Sequence, residues 1–444
     1  MIELAIAGDM WREVTTCLFS SNQEGCVILF ANQVRRPENG TRLLVQQIVT
    51  PNESDYTRRG PYEAELAPPF VASIASASKK SSRAIVFVHN HIGEAIPRFS
   101  SIDDYGELRL SEFLVKRCND RMHLALVVGT DGLRCRLLGS DQQVQVVSLD
   151  SNRTVLSESN VSGAISTHIY DRQLSVFGID GQNRIANLTA AVVGLGGTGS
   201  VIAQQLTHLG VQSFILIDPD TIETTNLNRV ASATLSDIGK AKTSVAARYI
   251  RAFSPDARIK EIKGDVIRAR NGKALLDADV IFCCTDSHGS RSVLEQVSYQ
   301  YLLPMIDMGS VITVLDGAVK QIVGRVQMLS PGLACLTCSG LLDPSQVRRD
   351  MMTAFERQSD PYIQGIHEPA PAVISLNATI ASLSITMLMS AITGLEAKAR
   401  HIVYLGLSST MRVISTTPVS GCIVCSPEGR LARGDSWPFP GRQD

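Results

Sequence analysis

The hydrophobic pattern of the first 140 residues alternates short apolar runs with one helix-like segment. Three of these runs are typical of strands, and the last of them is a continuous apolar run suited to a buried strand. They are Gly25–Ala31, Arg42–Val49 and Arg83–Val88. The segment Pro68–Lys79, extended by Lys80, predicts a helix, and two further apolar runs around residues 130–132 predict a hairpin. This order indicates an α/β domain.

Beyond residue 188 the pattern becomes a regular alternation of strands and helices. Predicted strands end at Gly194, Asp218 and Cys284. Predicted helices run from Gly197 to about Leu209, follow Gly239, and run from Gly289 to Tyr301. Strands joined by right-handed helical crossovers form a doubly wound, mostly parallel sheet. The fold class predicted for this part is therefore Rossmann-like α/β.

Composition suggests how the chain is divided. Residues 1–140 form a first domain, and the Ser-, Asn- and Gln-rich stretch 141–166 reads as a linker. Residues 167–425 form the second domain, and the tail 426–444, rich in Gly, Pro, Arg and Asp, is expected to be flexible. The uncharged stretch Pro369–Leu395 holds eight Ser, Thr and Asn residues, so we expect a buried core helix rather than a membrane span.

Charge and the N-terminal sequence exclude several classes. A formal net charge of −1 over 444 residues argues against a nucleic-acid binder, which needs a basic surface. The first residues lack the cationic flank and apolar core of a secretory signal. We therefore expect a cytoplasmic protein with neither a membrane nor a nucleic-acid partner.

A nucleotide-binding motif opens the second domain. Gly194, Gly196 and Gly199 form G-x-G-x-x-G between a predicted strand and a helix, where backbone N–H groups favour phosphate. Asp218 ends the next strand, at the position of a ribose-binding carboxylate. These two features fit a nicotinamide enzyme as well as an ATP enzyme.

Polar residues after the strand ends favour ATP. They are Asp218, Asp220, Asn226, Arg229, Lys242 and Asp286. Phosphoryl or nucleotidyl transfer needs cations on the phosphates together with a magnesium carboxylate, and hydride transfer does not. A nicotinamide oxidoreductase is therefore the weaker hypothesis.

Six motifs carry a family resemblance. YDRQ, GLGGTG, D-x-D, NLNR, G-x-x-K and CTDS occur in order between Thr167 and Cys425, a region that resembles the ThiF/MoeB/HesA-type ubiquitin-activating-like adenylyltransferases. The resemblance implies an ATP and Mg²⁺ site. It implies that Gly194, Gly196, Gly197 and Gly199 form the nucleotide-binding loop, and that Asp218, in D-x-D with Asp220, binds the ribose. It implies that Asn226, Arg229 and Lys242 contact the phosphates and that Asp286 binds Mg²⁺. It also implies a homodimer in which Arg172 reaches the neighbouring subunit, while Val230 departs from the family's usual glutamine.

Two Cys-x-x-Cys pairs predict a structural zinc site in the same domain. They are Cys335 with Cys338 and Cys422 with Cys425, and four thiolates suit a closed tetrahedral shell. The alternative is two unrelated redox pairs. Many ubiquitin-activating relatives carry a thioester cysteine between such pairs, whereas this chain has none between Cys338 and Cys422. We therefore expect another protein to accept the activated group.

The first domain contains a candidate hydrolytic zinc site. His89 and His91 project to one side of a strand and are followed by Ser100 and Asp103, with Glu24 upstream. This set resembles the JAB/JAMM (Mov34/MPN-like) metalloproteases. The resemblance implies that His89, His91 and Asp103 bind zinc, that Glu24 is the general base and that Ser100 is an oxyanion donor.

Two departures keep an alternative open for this domain. The spacing from His91 to Ser100 is one residue longer than usual, and Ile92 replaces a frequent proline. The alternative is therefore a metal-free scaffold domain. An HNH nuclease is disfavoured because the chain is not basic.

The leading hypothesis is adenylation of a Gly-Gly tail on a ubiquitin-like or sulfur-carrier protein, with a zinc-dependent (iso)peptidase acting on the same kind of tail. A conjugating enzyme or a sulfur donor would be a further partner. The second hypothesis is adenylation of a small-molecule or peptide carboxylate with an inactive first domain, and the third is a dimeric scaffold without activity. The architecture resembles bacterial ubiquitin-like modification systems, some of which act in phage defence.

Overall fold

The protein consists of two compact units. The structure, a computed structural model, describes residues 2–118, 121–157, 167–353, 356, 371–396 and 398–443. The first unit comprises Met1–Val161, Gln300–Leu302 and Arg430–Pro438. The second comprises Ser162–Tyr299, Leu303–Gly429 and Phe439–Asp444.

The described residues of the first unit form an eight-stranded mixed sheet, a two-stranded sheet and three α-helices. Its strands are β1 (Ile2–Ala7), β2 (Cys26–Arg36), β3 (Gly40–Val49), β4 (Tyr56–Gly60), β5 (Glu63–Leu66), β6 (Ala84–Asn90), β7 (Leu124–Val128), β8 (Leu133–Leu137), β9 (Gln145–Leu149) and β10 (Arg153–Val155). Its helices are α1 (Gly8–Leu18), α2 (Pro68–Ser81) and α3 (Ser101–Cys118). The large sheet has the order β10-β9-β1-β3-β2-β6-β7-β8, and β4 pairs with β5.

Both faces of the large sheet are covered, which explains its continuous apolar strands. Side chains alternate between faces along a strand, so neighbouring residues of β2 enter different cores. Val27 packs in a core that includes Leu18 of α1, whereas Ile28 packs in a core that includes Ile74 of α2 and Leu114 of α3. Such two-sided burial removes the polar alternation of a half-exposed strand.

Two boundary predictions for the first unit are wrong. The predicted linker 141–166 contains β9 and β10, and β9 pairs in parallel with β1 because its valines Val146 and Val147 are apolar enough for the core. The tail predicted as flexible is packed. Ala432 is buried and its carbonyl accepts a hydrogen bond from Asn32 at 2.8 Å. Composition missed both because the contacts come from distant segments.

The second unit is built around a second eight-stranded sheet. Its strands are β11 (Thr189–Val193), β12 (Ser213–Asp218), β13 (Arg258–Lys263), β14 (Val280–Cys283), β15 (Met305–Leu315), β16 (Ala318–Leu329), β17 (His401–Leu405) and β18 (Thr410–Val413). Its helices are α4 (Thr167–Ala186), interrupted at Gly178, α5 (Gly197–Leu209), α6 (Lys242–Phe253), α7 (Ala269–Gly272), α8 (His288–Gln300), α9 (Pro344–Met351) and α10 (Ile374–Thr393).

The strand order of this sheet is β13-β12-β11-β14-β15-β16-β17-β18. The first five strands in this order, from β13 through β12, β11 and β14 to β15, pair in parallel. The pairings from β15 to β18 are antiparallel. The parallel part is the predicted Rossmann-like arrangement, with the carboxyl ends of β11, β12 and β14 at one edge. In sheets of this class ligands bind at that edge.

Helix α10 lies in the core of the second unit, as predicted for the uncharged stretch. It is the one helix in the described part of the chain long and apolar enough to cross a membrane, and 61% of its most apolar window is buried inside the structure. Ile380, Ala381 and Ile385 belong to the core that also contains Val192 of β11. The C-terminal Phe439 is buried in this unit, and the N–H of Arg442 donates to the carbonyl of Ile267 at 2.7 Å.

Candidate functional site

The glycine loop after β11 is shaped by close backbone packing. Gly194 has a φ of +86°, and a Cβ there would lie 2.7 Å from the carbonyl oxygen of Cys284. A Cβ at Gly199 would overlap the carbonyl oxygen of Gly194. At Gly196, by contrast, no described atom lies within 4 Å of the Cβ position. Two glycines are therefore required by packing, and the third leaves space for a ligand at the N-terminus of α5.

Asp218 is buried at the end of β12 and is tied directly to the glycine loop. Its Oδ2 accepts a hydrogen bond from the N–H of Leu195 at 2.6 Å, and its Oδ1 accepts one from the N–H of Asp220 at 2.8 Å. Burial raises the pKa of Asp218, and the charge of Lys242 partly offsets this. The predicted ribose carboxylate thus lies beside the first turn of the loop.

Lys242 begins α6 and points to the same edge. Its side-chain ammonium lies 2.8 Å from Oδ2 of Asp220, and its backbone N–H donates to the backbone carbonyl of Asp220 at 3.1 Å. The lysine side chain is 11% exposed and that of Asp220 is 61% exposed. The ammonium of Lys242 therefore forms an ion pair with an exposed carboxylate, and a bound phosphate can replace that carboxylate as its partner.

The NLNR segment begins at the last residue of a short 3₁₀ turn, Thr224–Asn226, that follows β12. Asn226 is buried, and its Oδ1 accepts from the N–H of Glu223 at 3.2 Å. Nη1 of Arg229 donates to the carbonyl of Thr225 at 2.6 Å. Val230, where the family's glutamine was expected, is buried against Ile222 in a small apolar cluster. The turn is thus stabilised by its own side chains, with Arg229 partly exposed.

The side chains of Asp286 and Arg172 make no hydrogen bond or ion pair to the described residues. Asp286 is exposed between β14 and α8, and its charge is among those that raise the pKa of Arg291 against the effect of burial. Arg172 is exposed on α4. An exposed carboxylate after a strand end is a suitable metal ligand.

Asp218, Lys242, Arg229 and Asp286 all lie at or after carboxyl ends of the parallel strands, whereas Arg172 on α4 makes no side-chain contact with them in the described part of the chain. The N-terminus of α5, the ammonium of Lys242 and the guanidinium of Arg229 favour an anion, while Asp218 suits a ribose. A model of the ThiF family matches residues 170–422, which is more than half of the chain. The chain belongs to the ThiF family.

The curated relatives of this ThiF-family chain include one enzyme named for adenylylation of a sulfur carrier protein and two named as activating enzymes. The sulfur carrier protein ThiS adenylyltransferase of Escherichia coli is 26% identical over 261 residues, covering 58% of this chain and 94% of the relative. The SAMP-activating enzyme E1 of Haloferax volcanii is 27% identical, covering 36% of this chain and 56% of the relative. Ubiquitin-like modifier-activating enzyme 5 of Oryza sativa is 27% identical, and the chain spans 40% of its length.

Solved structures give a weaker likeness. The crystal structure of E. coli MccB with ATP is 19% identical with a TM-score of 0.47, covering 61% of this chain and 76% of that one. The structure of PaaA is 20% identical with a TM-score of 0.45, covering 57% of this chain and 84% of that one.

The four cysteines of the ThiF-family unit form one cluster. Their sulfur atoms all lie within 4.8 Å of one another, with Cys335 3.7 Å from Cys422 and Cys338 3.6 Å from Cys425. A zinc tetrahedron with Zn–S bonds of about 2.3 Å requires S···S distances of about 3.8 Å. The donor set and spacing fit a structural zinc ion.

A second cluster lies in the first unit. Nε2 of His89 lies 3.3 Å from Nε2 of His91, and the two carboxylate oxygens of Asp103 lie 3.2 Å and 3.5 Å from these nitrogens. Zn–N bonds of about 2.0 Å place neighbouring ligand atoms about 3.3 Å apart in a tetrahedron. Nδ1 of His91 lies 3.4 Å from Glu94, a contact that would orient the ring. The predicted ligands are thus brought together at zinc-binding distances.

Glu24 is held beside this cluster. It is buried, unlike most glutamates that precede a strand, and burial raises its pKa while the charges of His91 and His89 lower it. Its N–H donates to the carbonyl of Gly60 at 2.8 Å, and its carbonyl accepts from Nε of Arg59 at 3.0 Å. Both backbone groups of Glu24 are therefore fixed.

Ser100 has a local role in the structure. It precedes α3, and its N–H and hydroxyl donate to Oδ2 of Asp103 at 2.6 Å and 2.8 Å. The N–H of Asp103 donates back to Oγ of Ser100 at 3.2 Å, which completes a capping box. The one-residue longer spacing from His91 therefore still delivers Asp103 to the cluster.

Two residues at the nucleotide edge were missed by sequence reasoning. Asp350 of α9 accepts hydrogen bonds from the hydroxyl of Ser287 at 2.8 Å and the N–H of Gly289 at 3.0 Å, at the start of α8. Asn377 of α10 lies over Gly197. Neither belongs to a motif, and both arrive from segments more than 60 residues away in the chain.

Proposed function

We propose that the second unit catalyses ATP-dependent adenylation of a C-terminal carboxylate. The observation that carries this proposal is the hydrogen bond between Asp218 and the N–H of Leu195, at 2.6 Å. It joins a ribose-binding carboxylate to the phosphate-binding end of α5. Lys242 and Arg229 lie on the elements that follow and carry the charges that phosphates need.

The reaction is a substitution at phosphorus. A carboxylate oxygen of the substrate attacks the α-phosphorus of ATP, the bond to the bridging oxygen breaks, and pyrophosphate leaves with the electron pair. Lys242 and Arg229 would stabilise the charge on the phosphate oxygens as that bond breaks. Asp286 would hold Mg²⁺, which supplies further neutralisation of the phosphates when it is bound.

The substrate class is a ubiquitin-like or sulfur-carrier protein with a Gly-Gly tail. The names of the SAMP-activating and ThiS-adenylating relatives support this class. No cysteine lies between Cys338 and Cys422, so the acyl adenylate would pass to a conjugating enzyme or to a sulfur donor. The exposed Arg172 is free to serve a neighbouring subunit in a homodimer.

Pyrophosphate exchange tests the adenylation. Labelled pyrophosphate should enter ATP when a Gly-Gly carrier protein is added, and Lys242→Met and Asp286→Asn should each lower the rate about 100-fold or more. Lys320→Met, which removes an exposed lysine on β16, is the matched control and should exchange normally. Exchange with short peptides and not with any carrier would instead support the peptide-adenylating alternative, and full activity of Lys242→Met would refute the proposed site.

The first unit is proposed to be a zinc-dependent peptidase that acts on the same kind of tail. The convergence of His89, His91 and Asp103 supports this proposal, together with the buried Glu24. These three ligands would hold the ion, whose chemistry is to lower the pKa of a bound water. Glu24 would take the proton from the attacking water and return it to the leaving amine.

Cleavage of a carrier protein extended beyond its Gly-Gly end tests the peptidase. Glu24→Gln should retain zinc and lose about 1000-fold in rate, since only the proton acceptor is removed. Glu112→Gln, an exposed glutamate on α3, is the matched control. If the wild type binds zinc and cleaves no such substrate, the first unit is a scaffold and the peptidase proposal is wrong.

A further inference from the structure

Asn377 lies against the glycine loop although it belongs to no nucleotide motif. It stands in the first turn of α10 and is 5% exposed. A Cβ at Gly197 would clash with Nδ2 of Asn377, and the same position lies 3.5 Å from Cβ of Arg229. The carboxamide of Asn377 and the start of the Arg229 side chain thus both lie close to Gly197.

The orientation of this carboxamide is set by Ser310 of β15. The hydroxyl of Ser310 donates to Oδ1 of Asn377 at 3.2 Å, which leaves Nδ2 on the side of the glycine loop. Nδ2 makes no hydrogen bond to any residue that the structure describes. An amide donor that faces the glycine loop without a partner among the described residues is available to an acceptor on a ligand bound at that loop.

The position of Nδ2 determines which ligand atom it meets. Asp218, the ribose carboxylate, is bonded to Leu195, one residue before Gly196. The phosphate attached directly to the ribose is the α-phosphate, so it is the group that reaches the turn at Gly196 and Gly197. The β- and γ-phosphates extend further from the ribose than this turn.

We propose that Nδ2 of Asn377 donates a hydrogen bond to a non-bridging oxygen of the α-phosphate. The inference rests on the proposed adenylation function and deepens it. The α-phosphorus is the atom that the carboxylate attacks, and its non-bridging oxygens carry negative charge in ATP and in the acyl adenylate alike. A neutral donor there stabilises that charge without forming an ion pair that would have to break on product release.

Binding of three adenosine compounds tests the assignment. Affinities of the full chain for ATP·Mg²⁺, AMP and adenosine would be measured by displacement of a fluorescent ATP analogue. Asn377→Asp keeps the shape and replaces the donor with a carboxylate, so ATP and AMP should each bind about 10- to 100-fold more weakly. Adenosine, which has no phosphate, should bind within about twofold of wild type.

Two further variants separate the contact from a structural effect. Asn187→Asp changes an exposed asparagine after α4 and should alter none of the three affinities. Ser310→Ala removes the hydroxyl that orients the carboxamide, and it should weaken ATP and AMP by about three- to tenfold. Melting temperatures measured without nucleotide would verify that each variant is folded.

The opposing outcomes are distinct. Loss of ATP affinity with unchanged AMP affinity would place the contact at the β- or γ-phosphate, and the α-phosphate assignment would be wrong. Equal weakening of all three compounds by Asn377→Asp would mean a distorted loop, and no weakening would mean no contact. If the wild type binds none of the three, the adenylation proposal itself fails together with this inference.

Discussion

Asn90, which lies between His89 and His91, accepts a hydrogen bond at Oδ1 from the N–H of Gly25 at 2.8 Å. Its Nδ2 donates to the carbonyl of Leu18 at 3.0 Å, and the residue is fully buried. The carboxamide of Asn90 therefore bonds to the two residues that flank the loop 19–24, whose last residue is Glu24. The loop and the histidine strand are positioned by the same side chain.

The first prediction concerns Asn90→Ala. Removing both hydrogen bonds leaves a buried N–H and a buried carbonyl without partners, which should destabilise the first unit by about 2 to 4 kcal/mol. Peptidase activity should fall about 10-fold or more at a temperature where the variant is folded, because Glu24 is no longer held. Hydrogen exchange of residues 19–25, followed by mass spectrometry, should speed up.

Asn32→Ala is the matched control for this variant. Asn32 is also buried, and its Nδ2 also donates to a backbone carbonyl, that of Ala432 at 2.8 Å. It should lose comparable stability while keeping the exchange rates of residues 19–25 and the peptidase activity per folded molecule. Equal loss of activity in both variants would show that Asn90 has no positioning role.

The second prediction contrasts two glycines of the loop. Gly199→Ala should destabilise the second unit by at least about 2 kcal/mol, because the methyl group overlaps the carbonyl of Gly194. In Gly196→Ala the methyl group contacts no described atom, so the free energy of unfolding should stay within about 1 kcal/mol of the wild-type value. The methyl group would occupy ligand space, so ATP should bind about tenfold more weakly. Thermal unfolding and ATP titration measure both effects. Similar stability of the two variants would contradict the packing argument.

The third prediction is a pH dependence caused by His123. This histidine is buried, and its Nδ1 accepts from the N–H of Ile85 at 3.0 Å. Burial, with a contribution from the charge of Arg121, lowers its pKa from 6.5 to about 4. The unfolded chain therefore binds a proton more readily, so stability is full above pH 6.5 and decreases as pH falls toward 4. The loss should approach about 3 kcal/mol.

His123→Asn isolates this effect. The asparagine oxygen can accept from Ile85 much as Nδ1 does, but it does not titrate. Urea unfolding would be followed by tryptophan fluorescence, because Trp11 and Trp437 both belong to the first unit. The stability gap between wild type and variant should change by about 3 kcal/mol between pH 7 and pH 4. A gap that is constant with pH would rule out His123 as the cause.

Much of the second unit was predictable because its signals are local. The glycine motif placed the start of α5 at Gly197, and Gly210, with a φ of +99°, ends that helix where the apolar pattern stops. The two Cys-x-x-Cys pairs predicted their own cluster, since four thiolates in two such turns suit the tetrahedral shell of a structural zinc ion.

The remaining features depend on contacts between distant segments. Asn377 reaches Gly197 across 180 residues of chain, so no spacing rule could connect them. β9 was predicted to be linker because the glutamines in and before it, Gln142, Gln143 and Gln145, mask two valines, and only the pairing with β1 makes it a strand. From the sequence Glu24 was an ordinary residue before a strand. In the structure it is buried, and its N–H is bonded to Gly60 of β4, a strand that the apolar pattern did not predict.

The last prediction is the zinc content of the purified protein. Elemental analysis should find about two zinc ions per wild-type chain and about one in His89→Ala/His91→Ala, because each cluster offers a complete ligand set. Cys422→Ser should also hold about one, and its second unit should melt at a lower temperature, since structural zinc contributes to folding. Glu94→Gln should keep both zinc ions because the ligand set is unchanged. Its affinity for zinc at the histidine site should be lower, because the contact that orients the ring of His91 is weakened. One ion in both the wild type and the histidine variant would mean that the first unit does not retain zinc, and the peptidase proposal would then be withdrawn while the adenylation site stands.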